Sequence, residues 1–139
     1  MPARNIYHDA VIHALTADGW TITDDPLTLS YGDRDLFVDL GAERATIAAE
    51  KSGQKIAVEI VSFLSQSEVH DLQEAVGHHQ IYKVLLAALY PDRQLYLAVP
   101  LHAYEGLLTE RLGQLIVNEL RLKLLVFNDE TEVIKKWIS

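Results

Sequence analysis

Two acids set against apolar runs constrain this chain more than any other feature. Val38-Asp39-Leu40 ends one run, and Ile56-Ala57-Val58-Glu59-Ile60-Val61 forms the other, after a polar interval that closes at Gln54. A strand alternates its side chains between two faces, so Ala57, Glu59 and Val61 share one face and Ile56, Val58 and Ile60 the other. Both faces are apolar apart from Glu59, which predicts a strand covered on both sides. A carboxylate buried in such a sheet is costly unless a metal ion, a cation or several hydrogen bonds meet it. Whatever fold this chain adopts has to provide Glu59 with a partner.

The surrounding pattern predicts an α+β (α/β-like) arrangement with a mixed sheet. Asn5 caps a helix over Asn5–Asp18 that stops at Gly19. Short strands follow at Thr21–Thr23, Leu27–Tyr31 and Asp35–Leu40, separated by turns at Asp24-Asp25-Pro26 and Gly32-Asp33. Gly41-Ala42-Glu43 bends the chain into a strand over Ala45–Glu50, and Ser52-Gly53 turns it back into Lys55–Phe63. A two-residue turn there sets Glu59 opposite Thr46 and brings it near Asp39. Ser65-x-x-Glu68 matches a capping box opening a long helix through Leu89, which Pro91 closes. Gln94–Val99 is a strand, His102–Leu120 is helical with a break near Gly113, and Leu122–Phe127 and Glu132–Ile138 form a C-terminal hairpin.

Composition narrows the chemistry. The 139 residues suit one domain over 1–139, and 49% hydrophobic content is enough for a sizeable core. There are no cysteines, so disulfides and thiolate metal sites are excluded, leaving carboxylates and six histidines as metal ligands. The net charge is -8 and the twelve Lys and Arg are scattered, which disfavours tight unaided binding to nucleic acid. No apolar run approaches the roughly 20 residues of a membrane helix, and Met1–Asn5 carries no signal-peptide pattern, so no membrane contact and a cytoplasmic location are expected.

Each candidate residue has a structural alternative. Glu59 is either a metal ligand or a carboxylate satisfied by backbone N–H groups or by a cation such as Lys83. Asp39 is either a ligand at a strand end or an Asx-type turn residue capping Gly41. Asp9 could add a helix-borne oxygen ligand, or simply favour the helix dipole. Glu50, beside Lys51, reads as a solvated hairpin residue. On the long helix, His78 shares a face with Tyr82 and His79 shares one with Lys83, and one of these faces could look toward the two acids.

A family resemblance joins these pieces. Met1-Pro2-Ala3-Arg4, His8-Asp9-Ala10, Asp18-Gly19-Trp20, Asp25-Pro26-Leu27, Val38-Asp39-Leu40-Gly41-Ala42-Glu43, Ala49-Glu50-Lys51, Ile56-Ala57-Val58-Glu59-Ile60, Ser62-Phe63 and Leu124-Leu125-Val126-Phe127 closely resemble the XisH family. These are fdxN-element excision controlling factors of cyanobacteria, and the likeness covers nearly the whole chain. It implies a role supporting site-specific excision of a DNA element, with a dedicated recombinase performing the strand chemistry and an XisI-like protein as companion. It also implies membership of the PD-(D/E)xK superfamily, with a restriction-endonuclease-like mixed sheet flanked by helices. Such nucleases hold Mg²⁺ or Mn²⁺ between an Asp and a Glu and place a Lys two residues after the Glu. Carried over, the acids are Asp39 and Glu59, with Asp9 as the helix-borne addition.

Two departures matter. The Lys position holds Val61, and the family's usual Gln after the helix Gly is His78, with Gln80 two residues on. Without the Lys, charge developing on a scissile phosphate loses its nearest fixed cation, worth several kcal/mol in comparable sites. The expectation is therefore an accessory factor with a degenerate site, acting through protein partners and with DNA only weakly on its own. The alternative is an active Mg²⁺- or Mn²⁺-dependent endonuclease with a displaced lysine, Lys83 or Lys51. The apolar stretches Ile81–Leu89 and Leu120–Phe127 add the expectation of a homodimer.

Overall fold

In the computed structural model, which describes residues 5–44 and 53–139, the chain opens with α1 (His8–Ala17). Val11, Ala14 and Leu15 are fully buried along one side of this helix. Gly19, at φ +92°, ends it with a turn that glycine enters without strain. Asn5 lies outside the helix rather than capping it. Its side chain accepts the Tyr7 N–H at 2.9 Å and donates to the Ile60 carbonyl at 3.3 Å, tying the start of the described chain to the sheet.

The strands are β1 (Thr21–Asp24), β2 (Leu27–Tyr31), β3 (Arg34–Val38), β4 (Leu40–Arg44), β5 (Gln54–Ile60), β6 (Arg93–Pro100), β7 (Leu124–Asn128) and β8 (Val133–Ile138). Six of them form a sheet in the order β1-β4-β5-β6-β7-β8, and β2 pairs with β3 in a separate hairpin. The β5–β6 and β6–β7 pairs are parallel and the rest antiparallel, so the sheet is mixed as the pattern predicted. Parallel neighbours need crossovers. The first is α2 (Glu68–Leu89); the second is α3 (Leu101–Glu105), a 3₁₀ turn (Leu107–Thr109) and α4 (Arg111–Glu119).

Strand alternation assigns the layers. Leu40, Ala42, Ile56, Val58 and Ile60 join Val11, Ala14 and Leu15 in one core. On the opposite face, Ala57 and Leu95 meet Leu86 of α2 and Leu27, Leu29 and Val38 of the hairpin. Leu97, Val99, Leu124 and Val126 pack with Leu72, Leu108 and Val117. Each fully buried aliphatic side chain contributes about 1.5–3 kcal/mol. Among the described residues, no helix is long and apolar enough to cross a membrane.

Four expectations change. Gly41-Ala42-Glu43 is strand, not bend. A Cβ on Gly41 would stand 2.7 Å from Asp24 Oδ2 and 3.0 Å from Arg93 Nη1. The missing side chain leaves room for the Arg93 guanidinium, which donates to the Ile56 carbonyl at 2.9 Å and meets Asp24 Oδ2 at 3.3 Å. The long helix is capped by Ser67, whose hydroxyl accepts the His70 N–H at 3.2 Å, while Ser65 bonds Asp71 instead. The second helical segment breaks at Gly106, not at Gly113, where α4 presses so closely on the Leu107 carbonyl that no side chain fits. Finally, much of the Leu120–Phe127 stretch is the buried strand β7, whereas Ile81 and Val84 of α2 remain 53% and 70% exposed. The expected strand over 45–50, with Glu50 and Lys51, lies outside the described residues.

Candidate functional site

The register of β4 against β5 brings the two acids together. Leu40 pairs with Val58 and Ala42 with Ile56, and the alternation that buries all four against α1 fixes this alignment, since a one-residue slip would turn them outward. The next step along the same register sets Asp39, in the bend between β3 and β4, beside Glu59. The register that would oppose Glu59 to Thr46 is therefore incorrect: Glu43 stands opposite Lys55 and Arg44 opposite Gln54, seven positions away from that alignment. The predicted proximity of the acids survives because the core chooses the register, not the turn.

Asp39 is half-buried, and its Oδ2 accepts the Ile60 N–H at 2.8 Å. Its carboxylate thus completes the β5 backbone from across the strand end rather than capping Gly41. Glu59 is 8% exposed and lies on the α2 face. Burial, followed by the Asp39 charge and a hydrogen bond to Asp39, pushes the Glu59 carboxyl up to about 9. At neutral pH Glu59 holds a proton that the neighbouring carboxylate accepts, so the pair carries one negative charge instead of two.

Of the two helix faces, the His78/Tyr82 face meets the acids. His78 Nδ1 lies 3.3 Å from Glu59 Oε2, and the His78 and Tyr82 rings are 5.8 Å apart. With Glu59 protonated, the His78 contact is a hydrogen bond rather than an ion pair. Burial, then the Glu59 and Asp39 charges, raise the Tyr82 hydroxyl to about 12. His79 faces elsewhere, and burial together with Lys83 lowers its pKa. Lys83 lines a different cleft from Glu59.

Glu59 opens onto a cleft of about 150 Å³ lined also by Asn5, Val61, Asp71, Glu74 and His78. No Lys or Arg lines it among the described residues. Val61 is half-buried and packs on the core that contains Phe63 and Leu97, so an apolar contact fills the place next to Glu59 where an ammonium was expected. Asp71 and Glu74 add carboxylates to the lining, and Glu74 also lies 2.9 Å from His70 Nε2. Asp9 is exposed on the first turn of α1. Among the described residues, no three His, Asp or Glu side chains stand together as a metal-holding group.

The profile of the XisH protein family matches residues 1–135. The chain belongs to the XisH family. It is 43% identical to an fdxN element excision controlling factor protein from Anabaena variabilis, covering 98% of this chain and 100% of that one with a TM-score of 0.88. It is 38% identical to an XisH family protein from Nostoc punctiforme, covering 97% of this chain and 100% of that one, again with a TM-score of 0.88. No curated protein matches the chain.

Within this XisH-family chain, two contacts escaped the sequence. Asn5 lies near the acids through Ile60, and helical capping chemistry gave no hint of a partner 55 positions away. His8 Nε2 sits 2.8 Å from Asp25 Oδ1, a buried imidazole meeting a more exposed carboxylate and joining α1 to the β1–β2 corner. Of the His8-Asp9 dipeptide, Asp9 is exposed on the first turn of α1, while the neighbouring His8 is buried against the β1–β2 corner.

Proposed function

We propose that this chain is an accessory, controlling factor for site-specific excision of a DNA element, built on a restriction-endonuclease-like scaffold that no longer cuts. It acts through protein partners, an XisI-like companion and a site-specific recombinase, and meets DNA as part of that assembly. The naming of the Anabaena variabilis relative supports the biological role. The mixed sheet flanked by helices, with two acids at neighbouring strand ends, supports the scaffold. A homodimer would cover Ile81 and Val84, and equilibrium sedimentation checks for it.

One observation carries the loss of cutting: the Glu59 cleft contains Val61, Asp71 and Glu74 and no Lys or Arg among the described residues. The pair Asp39 and Glu59 does fit one small divalent ion, because Mg²⁺ accepts one or two carboxylates when water and substrate phosphates complete its shell. When bound, such an ion would polarise a phosphate and acidify a bound water. The protein's own contribution would be two oxygen donors and a site for exchange of the shared proton. What it lacks is a fixed cation facing the developing phosphate charge, and the acidic lining repels that charge.

The test is a nicking and cleavage assay on plasmid and oligonucleotide DNA with Mg²⁺ or Mn²⁺. The expected result is intact DNA with the parent protein. Cleavage that disappears in Glu59→Ala would overturn the proposal in favour of a nuclease with a displaced lysine. Co-purification with an XisI-like protein tests the partner half separately.

A further inference from the structure

Away from the acidic cleft, against the C-terminal half of α2, lies a second cleft of about 230 Å³ with the opposite charge. His79 and Lys83 of α2, Arg93 and Gln94 at the start of β6, and Arg121 and Lys123 between α4 and β7 line it. Among the described residues, no Asp or Glu lines it. The cations are not equivalent. Arg93 is engaged with Asp24 at 3.3 Å and Glu43 at 3.6 Å. Among the described residues, Lys123 Nζ meets only the neutral Gln94 Oε1, at 2.9 Å. Lys83 and Arg121 make no ion pair with any described residue. Three uncompensated positive charges thus meet in one concavity of a chain whose net charge is -8.

The backbone at Arg121 is a second, independent observation. Arg121 has φ +52° and closes α4: its N–H bonds the Asn118 carbonyl at 3.3 Å, and the Leu122 N–H bonds the Val117 carbonyl at 3.0 Å. This is the helix-ending motif in which glycine is the usual residue, because other side chains are strained there. Arginine adds nothing to the turn that glycine lacks; what it adds is a guanidinium at the rim of this cleft. Non-glycine residues held in sparse backbone regions cluster at binding sites.

The geometry points to this cleft as a phosphate-binding site, with Lys83, Arg121 and Lys123 receiving the oxygens of a phosphate group on a nucleic-acid strand or on a free phosphorylated small molecule. A guanidinium holds two phosphate oxygens at once and an ammonium a third, which suits phosphate better than a flat carboxylate. At about 230 Å³ the cleft has room for a phosphate group between these side chains. It shares no residue with the carboxyl pair, so this inference stands apart from the reading of Glu59.

The full-length protein is tested at low salt with three probes: inorganic phosphate and ATP, read by calorimetry and thermal shift, and a short fluorescent DNA duplex, read by anisotropy. At least one probe binds, and the Lys83→Gln/Lys123→Gln double variant weakens it about tenfold or more, the factor that loss of charge-assisted hydrogen bonds supports. Arg121→Gly weakens binding with no loss of thermal stability, which a misfolded variant would not do. Binding of phosphate and ATP but not duplex assigns a small molecule. Duplex binding whose salt dependence falls by about 0.9 in log–log slope per lost contact assigns a strand backbone. The inference is overturned if no probe binds, or if binding persists unchanged in the double variant.

Discussion

Replacing Glu59 with Gln tests the shared proton directly. In the unfolded chain this carboxyl ionises near 4.5, and in the folded protein burial and Asp39 raise it to about 9. Because the folded value lies above the unfolded one, the stability tied to the proton is complete below about 4.5 and is lost as the pH climbs toward 9. Each pH unit inside that window costs about 1.4 kcal/mol. On the order of 3 kcal/mol has therefore gone by neutral pH. Gln never ionises in either state, keeps the shape, and offers an amide N–H in place of the carboxyl proton that Asp39 accepts. Parent and Glu59→Gln should match closely near about pH 5, with the variant ahead by roughly 3 kcal/mol at about pH 7 and further ahead at about pH 8. Urea unfolding followed by circular dichroism at constant ionic strength measures the gap. A difference that stays flat across this range would refute the account, since it would mean that Glu59 remains ionised in the folded protein. A divalent ion that replaces the proton should stabilise the parent at the alkaline end and leave the variant unmoved.

Three further outcomes follow from the same geometry. Val61→Lys puts an ammonium into the acidic cleft and should raise Mg²⁺-dependent DNA affinity or cleavage; a variant identical to the parent in both anisotropy and nicking assays would weaken the site reading. Gly41→Ala pushes a methyl group against Asp24 and Arg93 and should cost roughly 1–3 kcal/mol of unfolding free energy; a neutral result would show that Arg93 has room to move. Asp39→Ala leaves the buried Ile60 N–H without its acceptor, a loss of about 1–3 kcal/mol, whereas Asp39→Asn keeps an acceptor and should cost less; equal losses in denaturant would contradict the strand-end role.

The elements that depend on local pattern were legible. The β2–β3 and β7–β8 hairpins, the long α2 and the mixed sheet follow from alternation, turn residues and the length of the helical run. What escaped depends on contacts distant in sequence. Gly41 reads as a bend because glycine usually marks one, yet here it makes space for Arg93 far along the chain. The turn near Ser52 suggested a register that the burial of Leu40, Ala42, Ile56 and Val58 overrides. Gly113 resembles a helix break but marks a close approach between α4 and the preceding 3₁₀ turn. At the site, the acid pair and the missing lysine were visible in the sequence. The choice of His78 over His79 required the rotation of α2 about its axis, which the sequence had left open.

Asp39 also hems the sheet. By holding the Ile60 amide it closes off a strand end, whatever happens in the cleft beside it. An acid so placed has reason to persist through folding alone, even where no chemistry is asked of it. In chains built this way, finding the Asp–Glu couple says little about whether DNA is cut, and the informative side chain is the one at position 61.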